Sequence, residues 1–171
     1  MSVVKFFVPM KPEAKQADRS RIAKMKDGRE FIAHYKDSKV KKAELWIAQN
    51  AMRSAPLQPL EGPLFAIIRA YSAPATSYSD KKKKACLSAE LWPTGRPDVD
   101  NLCKMVLDAL GTSKLFFHND SQFVFVLIIK QYAEREGVEF TCGNIKSVDF
   151  IREFAKVFRQ FYAYSNRWGF R

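Results

Sequence analysis

The chain has 171 residues, 47% of them hydrophobic, and carries 29 Lys and Arg against 18 Asp and Glu, a formal charge of +11. That length suits one domain with a sizeable core, and the cationic excess points to a polyanionic partner, nucleic acid first, because pairing with phosphates releases condensed counterions. Cys86, Cys103 and Cys142 are an odd set with no CxxC pair, which argues against a disulfide framework and a zinc knuckle and favours a reducing cytoplasm. The opening MSVVKFFVPM reaches charge and proline too early for a signal peptide. No apolar run approaches the ~20 residues that cross a bilayer, and no cationic amphipathic anchor stands out, so no membrane partner is expected.

Val3 to Pro9, β-branched and aromatic, predicts a strand ended by Pro9. Lys11 to Lys36 is polar and basic, with Arg19, Arg21, Lys24, Lys26 and Arg29 around an Asp27-Gly28 turn, and reads as a long functional loop that orders on DNA. A helix follows, capped by Asp37 or Ser38, with Val40, Leu45, Ile47, Ala48 and Met52 as its stripe; Pro56 and Pro59 stop it. Pro63 to Ser72 predicts a strand buried on both faces. Next comes a loop carrying Lys81, Lys82, Lys83 and Lys84, then an extended segment, CLSAELWP, leading to GRP.

Asn101 to Leu110 predicts a helix with Leu102, Val106, Ala109 and Leu110 on its apolar face and Gly111 as C-cap. SQFVFVLIIKQYA is the strongest strand pattern, and Gly137 to Cys142 reads as its hairpin partner across the Glu134–Gly137 turn. The last helix, capped by Ser147 or Asp149, presents Phe150, Ile151, Phe154, Val157, Phe158 and Phe161, and a basic aromatic tail with Trp168 and Phe170 follows. No repeat and no linker interrupts the pattern, which is that of a mixed α/β domain plus a C-terminal helix.

Within this basic chain, GRPDVDNLCKMVLDAL gathers Asp98, Asp100 and Asp108 around Lys104. Two readings compete. Aspartates before a helix cap it and favour its positive end, and Asp100, Lys104 and Asp108 follow one another at one-turn spacing as surface ion pairs. Alternatively, Asp98 and Asp100 share one side of an extended segment, and Asp120, ahead of the strongest strand, joins them from a second element. Carboxylates from two elements suit a hard, oxygen-loving cation that keeps water ligands, polarises a phosphodiester and activates a water, with Lys104 balancing charge. A carboxylate site needs cationic surroundings when its substrate is itself an anion.

The order GRPDVDNLCKMVLDAL, then NDSQ and an apolar strand, resembles the RusA family of Holliday junction resolvases of phages and prophages, with their [R/K]-x-D-x-D-N-x-x-K stretch, D-A-L and D-D-x-Q. VPMKPEAKQADRSR and the lysine-rich lead-in resemble that family's basic segments, so the likeness runs from about Val3 to Cys142. It implies an α+β fold: a single domain, residues 1–142, with a small mixed sheet flanked by helices. Residues 143–171 lie beyond the likeness and are expected as an added helix and tail packed on that domain, with a dimer interface or DNA contact as the alternatives. The resemblance implies that Asp98, Asp100 and Asp120 hold Mg²⁺ (or Mn²⁺) and are catalytic together with Lys104, that a homodimer cuts branched DNA, and that Asn101, Asp108 and Gln122 occupy motif positions. Asn119 stands where the family often has a first acid; if that acid is a ligand, metal binding is weakened.

Arg19, Arg21, Lys81 to Lys84 and Arg96 are the expected DNA contacts, with a solvated loop as the plain alternative for the lysines. His118, beside Asp120, reads as a base or a ligand, but a loop histidine is more often inert. Phe116 and Phe117 read as core or dimer contacts before junction wedges, and the cysteines as core fillers. The competing functions are a nuclease for flaps or forks, a branched-DNA binder that has lost turnover, and an RNA-binding module, for which no RNP-like motif is present.

Overall fold

A computed structural model describes residues 3–12, 19–25, 27–35 and 38–167. Four strands make the main sheet: β1 (Val4–Val8), β4 (Leu64–Ser72), β5 (Phe123–Tyr132) and β6 (Gly137–Asn144), in the order β1-β6-β4-β5. β6 runs antiparallel to both β1 and β4, while β4 and β5 are parallel. β2 (Arg19–Lys24) and β3 (Glu30–Tyr35) form a separate two-stranded ribbon. The helices are α1 (Ser38–Ala51), α2 (Asp80–Leu87), α3 (Val99–Gly111) and α4 (Val148–Arg167). The expected α+β architecture is what forms.

β4 takes the sheet's interior because its residues Leu64 to Ile68 bury on both faces. On one face, Leu64, Ala66, Ile68 and Ala70 meet Phe6 and Val8 of β1, Phe140 of β6, and the apolar stripes of α1 and α3. The α3 stripe, Leu102, Met105, Val106, Ala109 and Leu110, is fully buried and follows the 3-4 spacing of an amphipathic helix. On the other face Phe65, Ile67 and Ile129 pack with Val157 and Phe150 of α4. Only part of the expected α4 stripe turns inward: Val157 is buried, but Ile151 is 67% and Phe158 63% exposed. Cys142 is buried, which pushes its thiol up to about 12, and Cys86 is buried too, whereas Cys103 is half-buried.

Several sequence readings need correction. β6 does not pair with β5; β4 lies between them. The short connection crosses the end of β4, where Ala133 N donates to Ser72 O (3.0 Å) and Ala73 N donates to Glu136 Oε1 (3.3 Å). The interior place suits β6 because Gly137 lets Phe7 of β1 close over it: a Cβ there would meet the Phe7 ring at 2.1 Å. The basic segment is the β2–β3 hairpin, turned at Asp27-Gly28, with Gly28 at φ +87. The four lysines lie in α2, whose N-cap Ser79 accepts from Lys82 N, and Cys86-Leu87 close that helix instead of opening a strand. Gly111 is the last residue of α3, with Thr112 after it as C-cap. Lys26, Lys36, Asp37, Trp168 and Phe170 lie outside the described residues, as do the side chains of Arg19 and Arg21.

Candidate active site

Asp98 is the N-cap residue of α3 by backbone position, and its carbonyl accepts the first helical hydrogen bond, from Leu102 N (3.0 Å). Its side chain makes no capping hydrogen bond. An N-cap aspartate ordinarily accepts from the second or third N–H of the helix; here that carboxylate is exposed and, among the described residues, has no hydrogen-bond or ion-pair partner. The capping explanation of this aspartate therefore fails for its side chain. Asp100, in the first turn, lies 3.6 Å from Lys104 Nζ, with the two side chains 62% and 63% exposed. A pair this open contributes roughly 0–1 kcal/mol, so neither group is locked to the other.

The segment entering the helix is anchored from the sheet. Lys130, on the edge strand β5, donates from Nζ to Gly95 O (2.6 Å) and Pro97 O (2.9 Å), bracketing Arg96, whose peptide bond to Pro97 is cis. Arg96 itself is exposed. Sequence reasoning missed this lysine's task; the available signal was a lone cation inside an otherwise apolar strand.

Asp120 sits at the other end of α3, in a 3-10 turn, Asp120–Gln122, that leads into β5. Phe116 and Phe117 are wholly buried and fix the approach: Leu60 N donates to Phe116 O (2.8 Å), and the Phe117 ring meets Phe123 edge-on at 4.9 Å. They are core residues. Gln122 then clamps the turn. Its Oε1 accepts from His118 N (2.8 Å) and Asn119 N (3.0 Å), and its Nε2 donates to Leu60 O (3.1 Å) and Gly62 O (3.3 Å). Asn119 Oδ1 accepts from Ser121 N (2.9 Å), so Asn119 serves as the cap of this turn, a task asparagine and aspartate perform about equally well. The Asp120 carboxylate is exposed and, among the described residues, without a hydrogen-bond or ion-pair partner.

Asp108, Thr112, Lys114, His118, Asn119 and Asp120 line an open polar cleft of about 490 Å³ at this end. Asp98 and Asp100 are not in it. Asp108 lies two turns beyond Asp100, ~12 Å along the axis at 1.5 Å per residue, and the cleft extends past it to Thr112. The fold thus presents two carboxylate positions, Asp98 with the loosely paired Asp100 at one end of α3 and the unengaged Asp120 at the other. Among the described residues no three His, Cys, Asp or Glu side chains gather closely enough to hold a metal ion.

Cations lie on two other elements. Lys81, Lys82 and Lys84 of α2 are exposed and Lys83 is half-buried, with Lys82 Nζ 3.7 Å from the centre of the Tyr78 ring. The hairpin carries Lys24, paired with Glu30 at 3.1 Å, and Arg29, whose guanidinium holds the Asp27 carboxyl below its ordinary range. Its Ile22 and Ile32 are cross-strand partners, 70% and 64% exposed. No helix among the described residues is long and apolar enough to cross a membrane.

Compared with known proteins, residues 8–142 match the family model described as endodeoxyribonuclease RusA. A protein of Bacillus subtilis (strain 168) named "Uncharacterized protein YqaN" is 33% identical over 150 residues, covering 86% of this chain and 100% of its own. The match to the family model includes every candidate carboxylate and ends before α4.

Proposed function

This chain belongs to the RusA endodeoxyribonuclease family, and from that premise we propose that it is a homodimeric, Mg²⁺-dependent nuclease resolving four-way DNA junctions by paired, symmetric nicks. The observation that carries the reading is the state of the motif aspartates: Asp98 stands at a helix N-cap without capping it, and Asp120 opens a tightly clamped turn without its side chain joining the clamp. Groups held in place but left unengaged are available to a ligand. Their donor set is all carboxylate oxygen, exposed to water, and this suits a hard dication that keeps several waters. Bound there, such an ion would supply a water of lowered pKa and neutralise charge developing on the phosphodiester.

The remaining work falls to the chain itself. Asp98, Asp100 and Asp120 are the metal-binding and catalytic carboxylates, and Lys104, one turn from Asp100 and open to solvent, faces phosphate charge. Arg96, Lys81 to Lys84, and Arg19 and Arg21 of the hairpin bind the backbone of branched DNA; α2 presents its lysines as a preformed cationic helix. The separation of Asp98 and Asp100 from Asp120 along α3 gives the dimer a purpose beyond symmetry. Asp98 and Asp100 of one protomer combine with Asp120 of its partner, and a two-fold axis then makes two equivalent sites for two nicks. The matching test is cleavage of a four-way junction, a flap and plain duplex by the purified protein. Paired nicks confined to the junction support resolution, and preference for the flap assigns a different branched substrate.

The absence of a three-carboxylate cluster within the described residues of one chain also favours a second reading, a branched-DNA binder without turnover. Equal junction affinity with and without metal, and no cleavage under either condition, would establish it.

A further inference from the structure

We infer that Lys130 is a positioning residue: from the edge of the sheet it holds the Gly95–Pro97 turn, and by doing so it releases the Asp98 carboxylate from the capping role its position would otherwise give it. The inference rests on the nuclease reading for its catalytic consequence, but its structural half stands on contacts alone.

A helix entry has to be fixed by something. The usual means is the N-cap side chain, which accepts from an early backbone N–H and so sets the angle at which the chain arrives. In α3 that bond is missing, although an aspartate is in place to make it. What fixes the entry instead is one ammonium gripping two carbonyls of the arriving chain, Gly95 O at 2.6 Å and Pro97 O at 2.9 Å. Lysine offers three donors and no acceptor, and hydrogen bonds from an ionised donor are about twice as strong as neutral ones. The lysine is half-buried and springs from β5 at the register position of Ala70 on β4, so its base is as rigid as the sheet.

The placement carries an electrostatic cost. An ammonium at the entry of α3 adds positive charge to the positive end of a helix, which by itself is unfavourable. Asp98 and Asp100 offset it in the free protein. The result is a carboxylate whose backbone is immobilised while its oxygens stay available, which is what a metal ligand requires and an ordinary cap does not provide.

The test uses the full chain with Lys130→Met, which keeps the stem and removes the donors, beside Lys130→Gln, which keeps one donor group and guards against a misfolded methionine variant. Hydrogen exchange of peptides spanning residues 93–102 is read alongside junction affinity without metal and kcat and KM with it. The expected result is faster exchange confined to that segment, unchanged exchange in β4 and β6, affinity within about twofold of wild type, and kcat lowered roughly 10- to 100-fold, the size of effect that an ångström of misplacement produces. Unchanged exchange overturns the inference. So does faster exchange with wild-type kcat, since the grip would then serve no chemistry. A wild type that cuts no DNA defeats the nuclease reading instead, and the exchange data still decide whether Lys130 holds the turn.

Discussion

Co-expressing an Asp100→Asn chain with an Asp120→Asn chain separates a site shared across the dimer from one built within each protomer. The expected numbers follow from how the chains pair. Asp120 lies with Asp108 and Thr112, and the helix between Asp98 and Gly111 spans ~20 Å at 1.5 Å per residue, whereas oxygen ligands of one Mg²⁺ each sit about 2.1 Å from it. If each site draws Asp98 and Asp100 from one protomer and Asp120 from the other, a mixed dimer has one intact site and one doubly damaged site. Random pairing makes half the dimers mixed, so roughly a quarter of wild-type sites survive, all of them in molecules able to make only one nick. Differently tagged chains, purified in tandem to isolate mixed dimers, should then nick an end-labelled junction at about half the wild-type rate per dimer while producing no paired, ligatable products. Each mutant alone should be inactive. Nicking by the mixed dimer no higher than by either mutant alone would refute the shared site.

Three further outcomes follow from particular side chains. Asp98→Ala should leave thermal stability within about 0.5 kcal/mol, because no capping bond is removed, yet abolish cleavage; a loss near 1 kcal/mol or more in denaturant titration would mean that Asp98 caps α3 after all. Gln122→Ala removes both bonds that hold His118 and Asn119 and both that reach Leu60 and Gly62. It should cost about 1–3 kcal/mol and reduce kcat with little change in junction affinity. Replacing Lys81, Lys82 and Lys84 by Gln should weaken junction binding and flatten its salt dependence by about 0.9 log units for each phosphate no longer neutralised; an unchanged slope would make the α2 lysines a solvated face.

How much of this was legible in the chain depends on what each signal reports. β1, β4 and α3 were plain because burial writes its periodicity directly into sequence, and α3's five buried positions repeat at helical spacing. The pairing of β6 was not. Two strand patterns joined by a short turn ordinarily make a hairpin, and nothing in Gly137 to Cys142 announces that β4 has slipped between them. The burial of nearly every β6 residue is the trace of its interior position, but a run that short reads equally well at an edge. The four lysines hid α2 because charge outweighed a Ser79-Asp80 start that is a fair capping signal. The β2–β3 hairpin had the Asp-Gly turn that marks such ribbons, masked by the density of basic residues around it.

For the candidate site the sequence offers residues and not an arrangement. Motif spacing picks out Asp98, Asp100, Lys104 and Asp120 but says nothing of the length of helix between Asp98 and Asp120. The two residues that hold the set in place, Lys130 and Gln122, act through backbone carbonyls and N–H groups. Such contacts depend on tertiary position, so for Lys130 the sequence carried only an out-of-place charge and for Gln122 only a motif position.

The most direct measurement is the cleavage of an end-labelled four-way junction by the wild-type protein and by Asp100→Asn, in Mg²⁺ and in EDTA. The account predicts paired, symmetric nicks from wild type with Mg²⁺ alone, and junction binding without cleavage by the variant. Wild type that binds the junction and leaves it whole in Mg²⁺, or a variant that cuts as wild type does, would contradict it.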